Sequence, residues 1–136
     1  MFPYLDNALN ILWLQNSASV SSTTTPTGVD LVNAVGPVAI TAANPASGSG
    51  TLALQPVMSV DNTTWVNVPA DAILDPITGL QTTMANLTSA GGTQVVYLKR
   101  DELSRYVSLT ETITPTASLT VSVQVEYLRA YTSQAI

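Results

Sequence analysis

The sequence predicts an all-β protein, a single-domain antiparallel β-sandwich or jelly roll of about seven or eight strands. Three observations carry this prediction. Apolar and polar residues alternate along 119–131, as in a long strand with one wet face. Turn-forming residues recur roughly every ten positions. The segment 51–68 has the pattern of two strands joined by a turn, and little of the chain has a helical period.

The first strand of this hairpin is predicted to have one buried face. Leu52, Leu54 and Met58 fall on one side of a period-two pattern, opposite smaller and more polar residues. Pro56 interrupts the pattern and donates no hydrogen bond to a neighbouring strand. We therefore expect a bulge or a sheet-edge position at Pro56.

The turn and the return strand follow directly. Asp61 and Asn62 can accept hydrogen bonds from the nearby backbone, and Asn tolerates a positive φ. Trp65 then begins the return strand with Val66 and Val68, and a large indole beside β-branched residues is predicted to be a core anchor.

The N-terminal region is predicted to be an arm or a first strand that precedes the main domain. Residues 7–15 alternate as a strand or docked arm, although a short helix also fits, and 17–27 is a Ser/Thr-rich tract typical of a loop or extended arm. The domain organisation is therefore an N-terminal arm or first strand plus a Ser/Thr-rich loop over 1–27, followed by a β-sandwich domain over 28–136. We expect no signal peptide and no transmembrane segment.

The remaining strands are separated by clear turn chemistry. A strand interrupted by Gly36 and Pro37 runs to about residue 41, and a flexible loop follows over 44–50. The further predicted strands are 81–87 (weak), 93–99, 105–112 and 119–131. In the last of these, Val121, Val123 and Tyr127 share the face that we expect to be buried.

The absence of two residue types argues against enzymatic chemistry. The chain has 136 residues with no cysteine and no histidine. Disulfides and thiolate metal sites are therefore excluded, and the commonest general base and neutral metal ligand is missing. We expect a protein that is not an enzyme and binds no cofactor or metal.

Charge is sparse and acidic. Four basic and nine acidic residues give a formal net charge of −5, and charged residues make up 10% of the chain. A nucleic-acid partner would need a basic stripe, which this chain lacks, so we expect neither nucleic-acid nor membrane binding. An apolar chain with so little charge is typical of a protein whose surface is partly covered by another chain.

The carboxylates offer no catalytic pair that spacing selects. A glycosidase would need two of them flanking its substrate. The candidates are Asp61, Asp71, Asp75, Asp101, Glu102, Glu111 and Glu126. We expect them to be turn formers and solvated strand residues. Trp65 and the tyrosines could stack on sugars, but core packing explains them as well.

Several motifs in these elements resemble those of decoration, or cement, proteins of tailed bacteriophages, which are small β-sandwich proteins bound outside the capsid. The resemblance covers about 28–131. Its features are a start of the type Gly-Val-Asp-Leu, a strand leading into Ser-x-Asp-Gly-x-x-aromatic, and an Arg-Tyr-Val strand. The matching residues here are Gly28-Val29-Asp30-Leu31, then Ser59, Asp61 and Trp65, and finally Arg105, Tyr106 and Val107. Asn62 stands where the family usually has glycine.

The resemblance implies a structural virion protein made in the host cytoplasm and located on the outer capsid surface. Such a protein would bind the major capsid protein, stabilise contacts between its subunits, and form a homo-oligomer, with a trimer favoured. The candidate partner contacts are Phe2, Tyr4, Trp13, Lys99 and Arg100. A phage tail or baseplate component, or a glycan-binding module, remains the alternative.

Overall fold

The computed structural model describes residues 9–129. Phe2 and Tyr4 lie outside the described residues, as do positions 130–136. The described chain forms ten strands and two short 3-10 helices, Ala70–Ala72 and Arg100–Glu102. The strands are β1 Leu9–Val20, β2 Val29–Asp30, β3 Ala34–Asn44, β4 Thr51–Ser59, β5 Val66–Asn67, β6 Ile73–Leu74, β7 Leu87–Thr88, β8 Gly92–Leu98, β9 Tyr106–Ile113 and β10 Leu119–Arg129.

The strands form two antiparallel sheets that enclose one core, which confirms the predicted β-sandwich. Sheet one has the order β1-β10-β3-β8-β6, and sheet two has the order β2-β9-β4-β5, with β7 also paired to β4. The count exceeds the predicted seven or eight because four of the strands have only two residues. The largest fully buried apolar side chains are Leu31, Ile40, Leu52, Leu87, Leu98, Leu109 and Leu119.

The long C-terminal strand has the predicted alternation. Val121, Val123 and Val125 are completely buried, while the residues between them lie on the outer face of sheet one. β10 pairs with β1 on one side and β3 on the other, so it is central in its sheet. Apolar and polar residues alternate along β10 because one face of the strand packs on the core and the other faces solvent.

The predicted hairpin is present, but Pro56 causes no bulge. The pairing of β4 with β9 runs without interruption from Leu52 to Ser59. The Pro56 carbonyl accepts a hydrogen bond from the Val68 N–H at 3.0 Å, on the β5 side. Because the amide and carbonyl of one residue point the same way across a strand, the missing donor costs the β4–β9 ladder nothing.

β1 extends beyond the segment that was predicted to be a strand. It continues through 17–20, which the Ser/Thr composition assigned to the loop. Its register shifts between Trp13 and Gln15 and again before Ala18, and Ser17 has a φ of 54°. The Ser122 hydroxyl accepts the Ser17 N–H at 2.9 Å, so side-chain bonding helps the irregular strand to stay on β10.

Trp65 is not the core anchor that the sequence predicts. It is half-buried and precedes β5, because the return strand contains only Val66–Asn67. Of the neighbouring residues, Val68 is buried and Val66 is exposed.

Candidate functional site

The resemblance residues meet at one end of sheet two, beginning with the turn after β4. The Asp61 carboxylate accepts hydrogen bonds from the Ser59 hydroxyl at 2.8 Å, the Thr63 N–H at 3.0 Å and the Thr64 N–H at 2.9 Å. These donors hold the pKa of Asp61 far below its usual value, with the Thr64 backbone bond as the largest cause. Asn62 adopts a φ of 63°, which explains how it replaces glycine.

This turn is tied to the start of β2 through Gly28. The Gly28 N–H donates to Asn62 Oδ1 at 2.8 Å. A Cβ added at Gly28 would lie 2.5 Å from the Trp65 ring and 3.0 Å from the Val107 carbonyl oxygen. The Trp65 indole therefore packs directly on the Gly28 backbone, at a distance that leaves no room for a side chain.

The remaining resemblance residues are paired next to this contact. β2 pairs with β9, so that Asp30 lies opposite Tyr106. Arg105 binds Asp30 with two hydrogen bonds of 3.0 and 2.8 Å and lies 5.2 Å from the centre of the Tyr106 ring. The Arg105 guanidinium holds the pKa of Asp30 below its usual value. Ser59, Asp61, Asn62, Trp65, Arg105 and Tyr106 thus form a connected structural cluster that joins three segments of chain.

The side chains of Lys99 and Arg100 mainly contact other residues of the same chain. Arg100 donates to the Leu31 carbonyl at 2.9 Å and the Leu103 carbonyl at 3.3 Å. Lys99 lies 3.7 Å from the Glu102 carboxylate. Both basic residues border an open cavity of about 610 Å³ beside Gly36 and Pro37 at the start of β3. The Lys99 side chain is exposed beside this cavity, whereas the Arg100 guanidinium bonds two backbone carbonyls of the corner.

The outer face of sheet one carries a band of exposed apolar side chains. We define the apolar band by its seven large members and their exposed fractions: Leu9 56%, Ile11 50%, Trp13 51%, Val35 41%, Val95 38%, Tyr97 39% and Leu128 45%. Cross-strand pairing brings them together, because Leu9 lies opposite Leu128 and Leu128 lies opposite Val35. Trp13, one of the candidate contacts, is therefore part of a larger surface.

The apolar band contains a single charged group among the described strand residues of this face. Glu126 lies between Ile11 and Ala39 across the sheet, and Ala39 lies opposite Tyr97. A shallow cavity of about 190 Å³ opens here between Leu9, Tyr97 and Glu126. Such a surface can bury apolar area against a partner with little charge to desolvate.

The outer face of sheet two is different because the chain itself covers part of it. The Ser108 hydroxyl donates to the Pro26 carbonyl at 2.7 Å, and Thr25 and Thr110 share a hydrogen bond of 2.7 Å. Ser108 is completely buried as a result. Sheet one therefore presents the face with more exposed apolar side chains.

A buried carboxyl group lies between the sheets. Glu111 on β9 is completely buried, and neither of its carboxyl oxygens has a hydrogen-bond partner among the described residues. Burial raises the pKa of Glu111 to about 7, although the nearby Gln15 side chain of β1 acts in the opposite direction. The prediction that the carboxylates are turn formers or solvated strand residues is wrong for Glu111.

Within 9–129, no group of three or more acidic residues is placed to hold a metal ion. The same residues include no helix long and apolar enough to cross a membrane.

Two solved structures share the fold. The SPBc2 prophage-derived protein YomS superposes with a TM-score of 0.56 at 8% identity, over 88% of this chain and 93% of YomS. The PBSX exported protein XepA superposes with a TM-score of 0.56 at 15% identity, over 97% of this chain. The chain spans 40% of the length of XepA. No protein-family model and no curated protein sequence matches the chain.

Sequence reasoning missed most of the apolar band. The alternation in β10 identified its inner face correctly, but it gave no reason to join outward residues of different strands. The available signal was the presence of Leu9, Ile11 and Trp13 on one face of a strand without charge. Tyr97 and Leu128 became part of the same surface only through the strand order.

Proposed function

We propose that this chain is a structural, non-enzymatic virion protein of a tailed phage that binds the outer surface of the capsid. In this role it stabilises contacts between subunits of the major capsid protein as a decoration or cement protein. The observation that carries the proposal is the apolar band, a set of exposed apolar side chains on the outer face of sheet one with Glu126 as the one charged strand residue described there. Binding of this kind requires shape and apolar contact rather than reactive groups.

Two further observations support the phage assignment. The sequence motifs resemble those of capsid decoration proteins, and they form one connected cluster in the structure. Both structural neighbours carry phage names, one a prophage-derived protein and the other an exported protein of PBSX. We therefore propose the major capsid protein as partner and the virion as location, with no nucleic-acid or membrane partner. The resemblance favours a trimer for the oligomer on the shell.

The test uses particles of the encoding phage prepared without this protein. Purified chain is added, and bound copies are located and counted by cryo-electron microscopy. We expect copies in icosahedral register on the outer shell and a higher temperature of particle disruption. Tyr97→Lys, which places a charge in the apolar band, should reduce occupancy, whereas Ile77→Lys at a 93% exposed loop position should not.

Binding confined to the tail would refute the capsid assignment and favour a tail or baseplate component. Binding to isolated glycans, with no binding to either part of the particle, would favour the glycan-binding module. Full occupancy with Tyr97→Lys would show that another surface meets the shell.

A further inference from the structure

The outer edge of β1 is a long strand edge, and its first five residues lack the usual protection. β1 is the outermost strand of sheet one and pairs with β10 on one side, while no described strand pairs with its other side. Its twelve residues, LNILWLQNSASV, include no charged residue and no proline. Proteins generally protect such edges with charge, proline or bulges. The two irregularities of β1 lie after Trp13, so the stretch from Leu9 to Trp13 is regular and open.

This regular stretch carries exposed apolar side chains on both faces. Leu9, Ile11 and Trp13 belong to the apolar band on the outer face, each about half exposed. Leu12 lies opposite Val125 on the inner side and is still 41% exposed, because the sandwich is open along this edge. A strand added to β1 would cover these side chains and also pair the free backbone groups.

The lengths of the other edge strands indicate which strand of a second copy could be added to β1. The other strands at the ends of the two sheets are β2, β5 and β6, each of two residues. Among the described strands, β1 is therefore the one long edge that a second copy can offer. The chain carries a net charge of −5, but an uncharged edge brings no like charge to a seam between copies.

We propose that two copies of this chain pair antiparallel through β1, around a two-fold axis at Ile11. Residues directly opposite in an antiparallel pair point to the same face, so a two-fold axis must pass through a residue position. The regular stretch has its midpoint at Ile11. This register places Ile11 opposite its own copy and Leu9 opposite Trp13, and it joins five strands from each copy into one continuous sheet.

The Glu126 carboxylates do not oppose this arrangement. Each lies on β10, one strand inside β1. Across the seam they are three strand spacings apart, roughly 14 Å at about 4.8 Å each. This separation exceeds the Debye length of about 8 Å at physiological ionic strength, so their repulsion is screened. The two apolar bands become one surface, with the indole of each copy against the leucine of the other.

The pairing concerns the free protein and does not depend on capsid binding. It gives a dimer in solution, whereas the resemblance favours a trimer. Analytical ultracentrifugation of the full chain separates the two by mass. We expect a monomer–dimer equilibrium for the unchanged chain and a dimer dissociation constant at least about tenfold weaker for Ile11→Asp, which places two carboxylates directly opposite each other. Ile77→Asp is the matched control, and circular dichroism checks that both variants fold.

Cysteine cross-linking tests the register without relying on stability, because the chain has no cysteine of its own. With a short bis-maleimide, Ile11→Cys should form covalent dimers. Leu9→Cys should not, because the two position-9 residues of the dimer are about 14 Å apart. Mixing Leu9→Cys with Trp13→Cys chains should restore the cross-link. A monomer at all concentrations, a trimer or larger ring, or equal cross-linking of Ile11→Cys and Ile77→Cys would overturn the proposal. A two-fold dimer that fails to bind particles would leave it intact and refute only the capsid assignment.

Discussion

Replacing Glu111 with glutamine should make the protein more stable at neutral pH and remove a defined part of its pH dependence. The side chain is completely buried without a hydrogen-bond partner among the described residues, between Leu54 of β4 and the Gln15 side chain of β1. Its pKa is about 7 in the folded state against an ordinary value of 4.5. Folding therefore favours the protonated carboxyl group.

The sign and size of the effect follow from proton linkage. Below about pH 4.5 the group is protonated in both states, and the folded protein keeps its full stability. As the pH rises towards 7, the unfolded chain loses the proton first and the free energy of unfolding falls. A difference of about 2.5 between the two pKa values corresponds to about 3 kcal/mol, at about 1.36 kcal/mol per pH unit.

The assay is urea unfolding of the unchanged protein and of Glu111→Gln from about pH 4 to pH 8. We expect the two to be similarly stable at pH 4 and Glu111→Gln to be more stable by about 3 kcal/mol at pH 8. Glu126→Gln, on the outer face of sheet one, controls for the loss of one carboxylate. Parallel curves for the unchanged protein and Glu111→Gln would refute the reasoning, since the buried group would then contribute no pH dependence.

Three other substitutions test the packing and the turn. Leu109→Ala removes a completely buried side chain and should cost about 2–5 kcal/mol in urea unfolding, whereas Ile77→Ala, at a 93% exposed position, should change the free energy of unfolding little. Gly28→Ala should cost about 1–3 kcal/mol, because its Cβ would lie 2.5 Å from the Trp65 ring; a stable variant would show that the indole moves freely. Asp61→Ala should lower the melting temperature at pH 6, because two backbone N–H groups and the Ser59 hydroxyl lose their acceptor. The low pKa of Asp61 means that this difference should shrink only as the pH falls below about 3.8, and a difference that is lost between pH 6 and pH 4 would contradict it.

The fold class could be predicted because local patterns determine it. The alternation along β10 depends only on one face meeting the core, and the turn after β4 depends on side chains bonding their own backbone. The extension of β1 was missed because Ser17–Val20 is held by Ser122 and by pairing with β10, contacts that are distant in sequence. The sequence left open whether Pro56 causes a bulge or faces a sheet edge, because the choice depends on which side of β4 has a full partner strand.

The candidate site was less predictable for a related reason. Trp13 could be selected because it is a large residue in a segment expected to make contacts. The buried state of Glu111 had a local signal that was not used, because Glu111 is in period-two phase with Leu109 and Ile113 on the inner face of β9. The resemblance residues are recognisable in sequence because they build the turn and its contacts with β2 and β9, so the motif reports on the fold more than on the binding surface.

The near absence of charge on the outer face of sheet one determines how its complexes respond to solvent. Contacts made mainly of apolar side chains and backbone pairing gain little from Coulomb attraction, so added sodium chloride has little attraction to screen. Sulfate and other salts that are excluded from protein surfaces strengthen the burial of apolar groups. Glu126 is the one charged strand residue described on this face, so an assembly built on the apolar band should persist in concentrated salt and dissociate in urea.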